Sequence, residues 1–578
     1  MLNGAPLNAA PLNGFSGSST PAIIPQPIVP GLAFRWKVRV TVAGVDMSAR
    51  LTGQIEVDRE RGAAGVASFT LNMPPGQVLP MDWVGREVKI DYITTAGGVT
   101  AERRRYTGRV ITTDWSPLTR QLTCQCGDQL QQRIEKLAVA DVDALIPSAW
   151  SADVFEAAEG RSRWDYAQER LGTVQASLDS SAEGDLRLST WYATANENFA
   201  FGRGTTIYNT VKLSYADLTS LSNTVEIEAQ YRFNRLHQLN ETFFWVHPDT
   251  GGSGGMGGFC RWRPDSSELP DVAMVKESAS SAGLSITAEP AYARVPLSTP
   301  DPCGNGQPWV NNYADLLLGV TFTGGRRWTQ AVTETYTLTV VAENSVAQAG
   351  EVIQRESVSI DYTNDLADNW ESTAFGIDAT PPTLGSETGH TDQRDEPQRQ
   401  AALNCLLNQA KTTIIEAHSG TVISWDVPTS MVLDVDLPHT LLLDDQGIKA
   451  RARCSRVLDT FDLAAGTAIT TLAITVMRGG GVMSDPLLPP APSAVPQAET
   501  GDPVNLPTQL GGKSSSPDYD EELDGFSGNY DNADPTYPVF DRRFQITASE
   551  IAEDQRDEQE VAILATYRVA VPDDLLEL

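Results

Sequence analysis

Alternation of apolar and polar positions dominates the chain from residue 34 onward. Trp36, Val38, Val40 and Val42 alternate with charged or polar residues, which is the period-two pattern of a strand with one buried and one solvated face. The same alternation recurs at 69–73, 88–92, 106–110 and 122–126. Short strands at this spacing, joined by turn residues, predict a small antiparallel barrel that ends near residue 130.

A helical period interrupts the strand pattern in two places. Leu130, Ile134 and Leu137 fall on one helical stripe, and a second helix is predicted around residues 164–171. Strands return at 223–233 and 336–340. Pro397 then suits the first turn of a further helix, whose apolar positions run to residue 414. The middle of the chain is therefore predicted to be mixed α+β.

Residues 420–478 repeat the barrel-like pattern of the first segment. Thr107–Val110 aligns with Cys454–Val457, and Leu122–Cys124 aligns with Leu472–Ile474. Internal repeats decide the architecture of a chain, so this similarity has to be weighed against a chance match. If it is real, the chain holds two similar barrels.

We predict a multidomain, mainly β chain with some α structure, in which two small antiparallel barrels flank a mixed α+β middle region. Its 578 residues are several times the length of a usual domain. The predicted segments are an extended N-terminal arm at 1–33, the first barrel at 34–130, the middle region at 131–360 with a glycine-rich loop at 249–258, an acidic connector at 361–396, a helix and the second barrel at 397–478, a Pro/Gly and acidic linker at 479–541, and a small C-terminal element at 542–578.

The charge of the chain narrows its possible partners. Lys and Arg number 43 against 75 Asp and Glu, a formal net charge of −32. Such a field repels phosphate backbones and anionic lipids, which argues against a sequence-reading DNA-binding protein. No apolar run approaches the roughly 20 residues that span a bilayer, and no secretory signal is evident. We expect synthesis in the cytoplasm and no membrane span.

Six cysteines are too few for a disulfide-built scaffold, and no CxxC pair occurs. Cys124 and Cys126 lie on one face of a predicted strand, where thiols usually pack as small apolar groups. Cys260 and Cys303 fall in predicted loops. Sequence leaves open whether those two pair or stay free, because a disulfide depends on geometry.

Catalytic signatures are few. Residues 251–255 satisfy G-x-S-x-G around Ser253, but a nucleophile elbow needs a strand before it and a helix after it, and here the flanks are a glycine loop. Arg103, Arg104 and Arg105 form a basic patch, for which we expect a partner-binding or edge-protecting role. We therefore expect no enzymatic activity, with a hydrolase using Ser253 as an alternative.

One acidic pattern has the spacing of a calcium loop. Asp520, Glu522 and Asp524 stand at positions one, three and five, a glycine follows at six, and Asp531 stands at twelve. No helical pattern flanks the loop, and acidic runs are often solvated linkers. A solvated acidic linker is therefore favoured and no cofactor is expected, with Ca²⁺ held by these four carboxylates as the alternative.

The order of these pieces resembles a phage tail baseplate hub, the tail-tip protein of siphophages and contractile-tailed phages. The resemblance covers roughly half of the chain. It is carried by 38–43 with the turn 44–48, then 51–57, 67–71, 85–90, 106–110, 122–128, 427–428, 456–457 and 470–474.

The resemblance implies two tube-type β-barrels and a homotrimer that adapts a sixfold tail tube to a threefold tip. It implies a virion location in the tail baseplate, and partners that are the distal tail protein ring, the tail tube protein, the tape measure protein and a central tip fibre. DNA would pass through the hub during ejection without sequence-specific binding. The alternative is a glycan-binding adhesin or carbohydrate-active β-protein that uses the calcium loop; exposed Trp residues in the middle region would favour it.

Overall fold

The computed structural model describes residues 23, 35–76, 80–96, 99–150, 160–217, 221–248, 269–287, 289–301, 306–361, 389–496, 502–510, 518–528 and 540–578. Strands predominate in these residues and helices are fewer, which confirms the predicted mainly β fold with some α structure. Some predictions lie outside the described residues: the arm at 1–33 apart from Ile23, the loop 249–258 with Ser253, Cys260, Cys303, most of the connector 361–396, and Asp531.

Six antiparallel strands near the N-terminus form what we call the first unit. The strands of this region are β1 (Arg35–Val42), the short β2 (Val45–Asp46), β3 (Leu51–Glu60), β4 (Val66–Asn72), β5 (Glu87–Ala96), β6 (Val99–Ser116) and β7 (Gln121–Gly127). The unit comprises β1 and β3–β7, paired in the order β3-β4-β7-β6-β5-β1. Val40, Ile55, Phe69, Ile90 and Leu122 point into one core. Because every strand contributes to that core, the sheet curls around it.

Short helices follow the first unit, as the helical spacing predicted. They are α1 (Leu130–Ile134), α2 (Val139–Leu145) and α3 (Arg163–Leu171), and the next strands are β8 (Ala176–Ser180), β9 (Leu186–Thr190), β10 (Phe199–Gly202) and β11 (Lys212–Ser214). Leu130, Ile134 and Leu137 share one apolar cluster with Ala167. Ser162 begins α3, because its hydroxyl accepts a hydrogen bond from the Asp165 N–H at 3.1 Å.

Two very long strands form the middle region and are called the ribbon. They are β12 (Thr224–Val246) and β17 (Leu317–Val341), which pair antiparallel from Thr224↔Val341 to Val246↔Gly319. Between them lie α4 (Val272–Ser281), β13 (Ser285–Ile286), β14 (Ala291–Arg294), β15 (Ser298–Thr299) and β16 (Trp309–Val310); after them come α5 (Glu343–Ala349), β18 (Ile353–Asp361) and β19 (Gly389–Gln393). Each end of the ribbon carries its own apolar core.

A long helix, α6 (Glu396–Ala417), packs on one end of the ribbon. Pro397 lies in its first turn as predicted, and the Asp395 side chain caps it by accepting from the Gln398 N–H at 3.0 Å. The predicted apolar stripe, which includes Leu403, Leu407 and Ile414, is buried against the ribbon.

The second unit follows α6. Its strands β20 (Thr421–Pro428), β21 (Thr440–Asp445), β22 (Ile448–Asp462) and β23 (Thr467–Val476) combine with β10 and β11 in the order β11-β20-β23-β22-β21-β10. Ile423, Trp425, Leu441, Val457 and Leu472 fill its core. The second unit therefore has the same arrangement as the first, built from strands far apart in the chain.

The C-terminal part of the chain returns to the earlier sheets. Its elements are β24 (Val504–Asn505), β25 (Thr508–Leu510), β26 (Gly525–Gly528), β27 (Arg543–Gln545), α7 (Glu553–Arg556), β28 (Gln559–Arg568) and β29 (Leu575–Glu577). The predicted C-terminal strand is confirmed as β28, which pairs parallel with β17. Part of the predicted linker also lies on the ribbon, where Glu334 Oε1 of β17 accepts from the Ser493 N–H at 2.8 Å. The domain boundaries themselves stay predictions.

The two units correspond strand for strand. The order β3-β4-β7-β6-β5-β1 maps onto β11-β20-β23-β22-β21-β10, with one difference: β10 runs parallel to β21, whereas β1 runs antiparallel to β5. Both long central strands carry a β-bulge, at 110–112 in β6 and at 454–456 in β22. Arg109 pairs with both β5 and β7 just before the bulge in β6, and Arg453 pairs with both β21 and β23 just before the bulge in β22. The two arginines therefore occupy equivalent positions. The sequence alignment, which matched Arg109 to Arg456, was thus wrong by three residues. Period two leaves a slip of two residues open, and the match of a position before one bulge to a position after the other adds one more.

Candidate functional site: the seam between the two units

A backbone seam joins the two units into one sheet. β22 pairs antiparallel with β3, from Arg456↔Glu60 to Asp462↔Gln54. Two further hydrogen bonds extend the seam, from the Arg61 N–H to Ser455 O at 2.9 Å and from the Leu463 N–H to Gly53 O at 3.2 Å. One edge of β3 in the first unit and one edge of β22 in the second unit are therefore covered by each other.

A fully buried ion pair crosses the seam. Arg105 of β6 meets Asp459 of β22 in a bidentate arrangement, with Nε to Oδ2 at 2.7 Å and Nη2 to Oδ1 at 2.8 Å. The two side chains are 1% and 0% exposed. Burial acts to lower the pKa of Arg105, but Asp459 outweighs it and the pKa is raised. Arg105 Nη1 also donates to Leu433 O at 3.1 Å, so the charge is well satisfied.

More charge pairs surround this central one. Arg456 binds Asp58 through two contacts of 2.8 and 2.6 Å, and Arg103 Nε lies 2.6 Å from Asp434 Oδ1 at the exposed rim. Arg104 pairs with Asp91 within the first unit. The arginines at 103–105 therefore form ion pairs inside the chain, two of them between the units.

A second, partly buried network lies beside the seam. Asp436 of the second unit binds Arg59 of β3, and Asp436 Oδ2 lies 2.6 Å from Arg187 Nη1 of β9. Arg187 also binds Asp179, which is 1% exposed. Burial acts to raise the pKa of Asp436, but the two arginines outweigh it and lower the pKa. The network ties both units to the β8–β9 hairpin.

One aromatic side chain passes from the second unit into the core of the first. Phe461 of β22 is fully buried among first-unit residues and stacks on Tyr92, with ring centroids 5.4 Å apart and an interplanar angle of 20°. Trp36 lies 6.2 Å from Phe461, and its Nε1–H donates to Gly466 O at 3.2 Å. The first unit therefore has a complete core only when β22 is in place.

The corresponding edge of the first unit is not covered by a described strand. On one side β6 pairs with β7; on the other it pairs with β5 only as far as Arg109↔Glu87. Residues Ile111–Ser116, which we call the free edge, correspond to the part of β22 that contacts β3. Within the described residues no strand pairs with this edge. Ile111 is 51% exposed on it.

Sequence reasoning did not find the seam carboxylates. Asp459 sits between Val457 and Phe461, which point inward on β22, so it breaks an apolar alternation with a charge. An inward-facing charge in a strand requires a buried partner. The inward-facing charge of Asp459 was therefore the sequence signal for a buried ion pair, but it does not identify Arg105 as the partner.

Within the described residues, carboxylates of the predicted calcium loop accept hydrogen bonds from the protein itself. The Asp524 carboxylate accepts from the Thr547 N–H at 3.0 Å and from its hydroxyl at 2.7 Å, and Asp520 Oδ1 accepts from the Glu522 N–H at 2.9 Å. Across the described ranges, no group of three or more His, Cys, Asp or Glu side chains is arranged to hold a metal ion. Asp531 lies outside them, so the calcium site stays an untested prediction.

The described thiols are buried and unpaired. Cys124, Cys126, Cys405 and Cys454 are free, and burial raises the pKa of Cys124 and of Cys405 to about 12. Such thiols stay protonated and act as small apolar groups. No described helix has the length and apolar character to cross a membrane.

No protein-family model matches the chain, and no curated protein matches it. Among solved structures, the chain is similar to a tail protein from Neisseria meningitidis MC58, at 10% identity over 76% of this chain and 96% of that one, with a TM-score of 0.34. It is similar to the 43 kDa tail protein of prophage MuSo2 from Shewanella oneidensis, at 10% identity over 76% and 98%, with a TM-score of 0.35. It is also similar to a chain of the Francisella PdpA-VgrG complex, at 8% identity over 77% and 53%, with a TM-score of 0.30.

Both are tail proteins, the broad class that includes the family indicated by the sequence resemblance. Because these TM-scores lie below 0.5, we argue function from the geometry of the chain itself.

Proposed function

We propose that the chain is a structural, non-enzymatic protein of the phage tail tip, a baseplate hub that assembles as a homotrimer. The observation that carries the proposal is the presence of two units with the same strand order in one continuous sheet. Three such chains around a threefold axis present six similar units in a ring. A ring of this kind is suited to join a sixfold tail tube to a threefold tip.

The seam indicates how the ring would close. Within one chain, β3 of the first unit covers an edge of β22 in the second. The strand correspondence makes β11 the equivalent of β3, and β6 the equivalent of β22. The same contact between neighbouring chains would join β11 of one chain to the free edge of the next. Lys212 and Ser214 of β11 are exposed, as such a contact requires.

The charge of the chain fits a conduit. A formal net charge of −32 disfavours adsorption of a phosphate backbone, so DNA would pass through the ring during ejection without adhering. The distal tail protein ring, tail tube, tape measure and tip fibre are the partners that this role requires. No Trp of the described residues is among the exposed large apolar side chains, so the glycan-binding alternative gains no support from them.

Disulfide trapping across the proposed contact tests the ring. We would place cysteine pairs at positions of the two edges that are opposed in the antiparallel register of the seam, Ser116→Cys with Lys212→Cys and Asp114→Cys with Ser214→Cys. Opposed residues of paired strands have the Cα separation that a disulfide needs. Oxidation should give covalent dimers and trimers, and the reduced protein should have three times the 62.5 kDa chain mass in light scattering.

The matched control replaces the β6 position by Thr112→Cys, which is exposed on the same edge but four residues out of register with Lys212. It should give no covalent trimer when combined with Lys212→Cys. The unmodified chain measures any background from its own cysteines. A chain that stays monomeric at tens of micromolar, with cross-linking equal to the control in both pairs, would refute the trimeric ring.

A further inference from the structure

A cavity of about 370 Å³ lies beside the seam, where the turn after β3 meets α3, β8 and the C-terminal end of α6. Its wall combines apolar and polar groups. Six lining residues matter for its chemistry: Arg61, Trp164, Leu171, Ser177, Trp191 and Glu416. The lining exposes more polar than apolar surface, so a ligand of this cavity has to meet its charge and hydrogen-bonding groups as well as fill its space.

Arg61 is the unusual member of this wall. Its guanidinium carbon lies 5.6 Å from the ring centroid of Trp191, which holds the side chain in place. Its Nη1 is inaccessible to solvent and makes no hydrogen bond within the described residues. A buried donor without an acceptor is destabilising, so such groups are nearly always paired with protein, water or ligand.

The surroundings leave a positive charge uncompensated. Burial lowers the pKa of Arg61, and Glu416 only partly opposes this effect. Glu416 is exposed on the cavity rim, and the described residues include no ion pair between it and Arg61. Burial also lowers the pKa of nearby Arg453, with smaller contributions from Arg187 and Arg61. An anion placed beside Arg61 would therefore remove an electrostatic cost.

The rest of the cavity favours an anion with an apolar body. Trp191 is held by a hydrogen bond from its Nε1–H to Ser177 Oγ at 2.6 Å, so the indole presents a fixed surface. Trp164 and Leu171 add apolar wall on the side of α3. Planar carboxylates match the guanidinium group in geometry as well as charge.

We propose that this cavity binds a small organic carboxylate, whose oxygen accepts from Arg61 Nη1 while its apolar body lies against Trp164 and Leu171. Glu416 competes with the carboxylate for Arg61. Such a group comes either from a free small molecule or from the C-terminal or acidic end of a peptide. The site is independent of the trimeric ring, because every residue in it belongs to one chain.

Benzoate, benzamide and inorganic phosphate are suitable probes for the full-length chain, with isothermal titration and thermal unfolding as readouts. Benzoate should bind and raise the melting temperature with concentration, whereas the uncharged benzamide should not. Arg61→Gln should weaken benzoate binding at least about tenfold, since a charge-assisted hydrogen bond is lost. Glu416→Gln should tighten benzoate binding about threefold by removing the competing charge.

A peptide that ends in a free carboxylate, compared with the same peptide as its amide, distinguishes a peptide ligand from a free small molecule.

Arg86→Gln is the matched control, because Arg86 also lies over a tryptophan ring, that of Trp83 at 4.8 Å, away from the cavity. It should leave benzoate binding unchanged. If Arg61→Gln does not fold, Arg61→Met provides the same test, because it also removes the charge and leaves no buried donor unpaired. Absence of benzoate binding, equal binding by the Arg61 variant, or phosphate binding as tight as benzoate binding would each overturn the proposal.

Discussion

The two units have the same strand order but differ in what covers one edge of their longest strand. In the second unit, the edge of β22 beyond Arg453 is covered by β3, with Arg105 and Asp459 buried behind it. In the first unit, the edge of β6 beyond Arg109 has no described strand beside it. The covered edge of β22 thus indicates that the uncovered edge of β6 can pair with a strand in the same way. One topology serves as an internal joint in one unit and as an outward-facing surface in the other.

Breaking the central ion pair should have the largest effect on this comparison. Asp459→Asn leaves the Arg105 charge buried without a counter-charge, so the free energy of unfolding should fall by about 3 to 5 kcal/mol. Urea unfolding followed by tryptophan fluorescence measures this free energy. We expect the decrease in the unfolding transition in which the two units separate.

Asp434→Asn is the control for that substitution. Its partner Arg103 is exposed, so the expected loss is below about 1 kcal/mol. The double replacement of Arg105 by Met and Asp459 by Leu should recover much of the stability, because no charge is then left buried. Equal losses for Asp459→Asn and Asp434→Asn would show that the buried pair does not hold the units together.

The aromatic residue near the end of each long strand gives the second comparison. Phe461→Ala should cost about 3 to 4 kcal/mol, because Phe461 is fully buried in the core of the other unit. Trp115 is the second-to-last residue of β6 and is only half-buried. Trp115→Ala should therefore lower the free energy of unfolding of a single chain by less than Phe461→Ala does. In the proposed ring, Trp115→Ala should also weaken the trimer, which sedimentation measures. A larger loss of chain stability for Trp115→Ala would contradict this difference between the edges.

The third and smallest effect depends on pH and concerns only the second unit. Burial raises the pKa of Asp574, which lies beside β29, to about 6. The stabilisation from its protonated form is complete below pH 4 and is lost as the pH rises through 6, with an upper limit of about 3 kcal/mol. Asp574→Asn should remove this dependence, as comparison of unfolding curves at pH 4, 5, 6 and 7 would reveal. An unchanged pH profile would assign the dependence to other groups.

The sequence predicts the units much better than their joint. Period-two alternation identifies inward residues such as Val40 and Leu122 because burial on one face leaves a direct trace in the chain. The pairing of β3 with β22 leaves no such trace, since the partner lies about 400 residues away and strand pairing is mostly a backbone contact. The bulges at 110–112 and 454–456 also shift the alternation by one position, which displaced the internal alignment.

The candidate cavity could not be predicted for a related reason. Arg61 follows β3 in a turn, and nothing in its neighbours distinguishes it from a solvated surface arginine. Its burial depends on Trp191, from the segment after β9, and on the distant α6. Only the folded arrangement of all three segments turns an ordinary residue into an unsatisfied donor.

The passage of Phe461 into the core of the first unit has a consequence during synthesis on the ribosome. The first unit emerges complete at Gly127, but its last core residue is made about 330 residues later. At 5 to 20 residues per second, Tyr92 and Trp36 wait roughly 20 to 70 seconds for their partner. Over that interval the nascent chain presents an open sheet edge and uncovered aromatic rings, a state in which chaperone binding or pairing with a neighbouring nascent chain competes with correct folding.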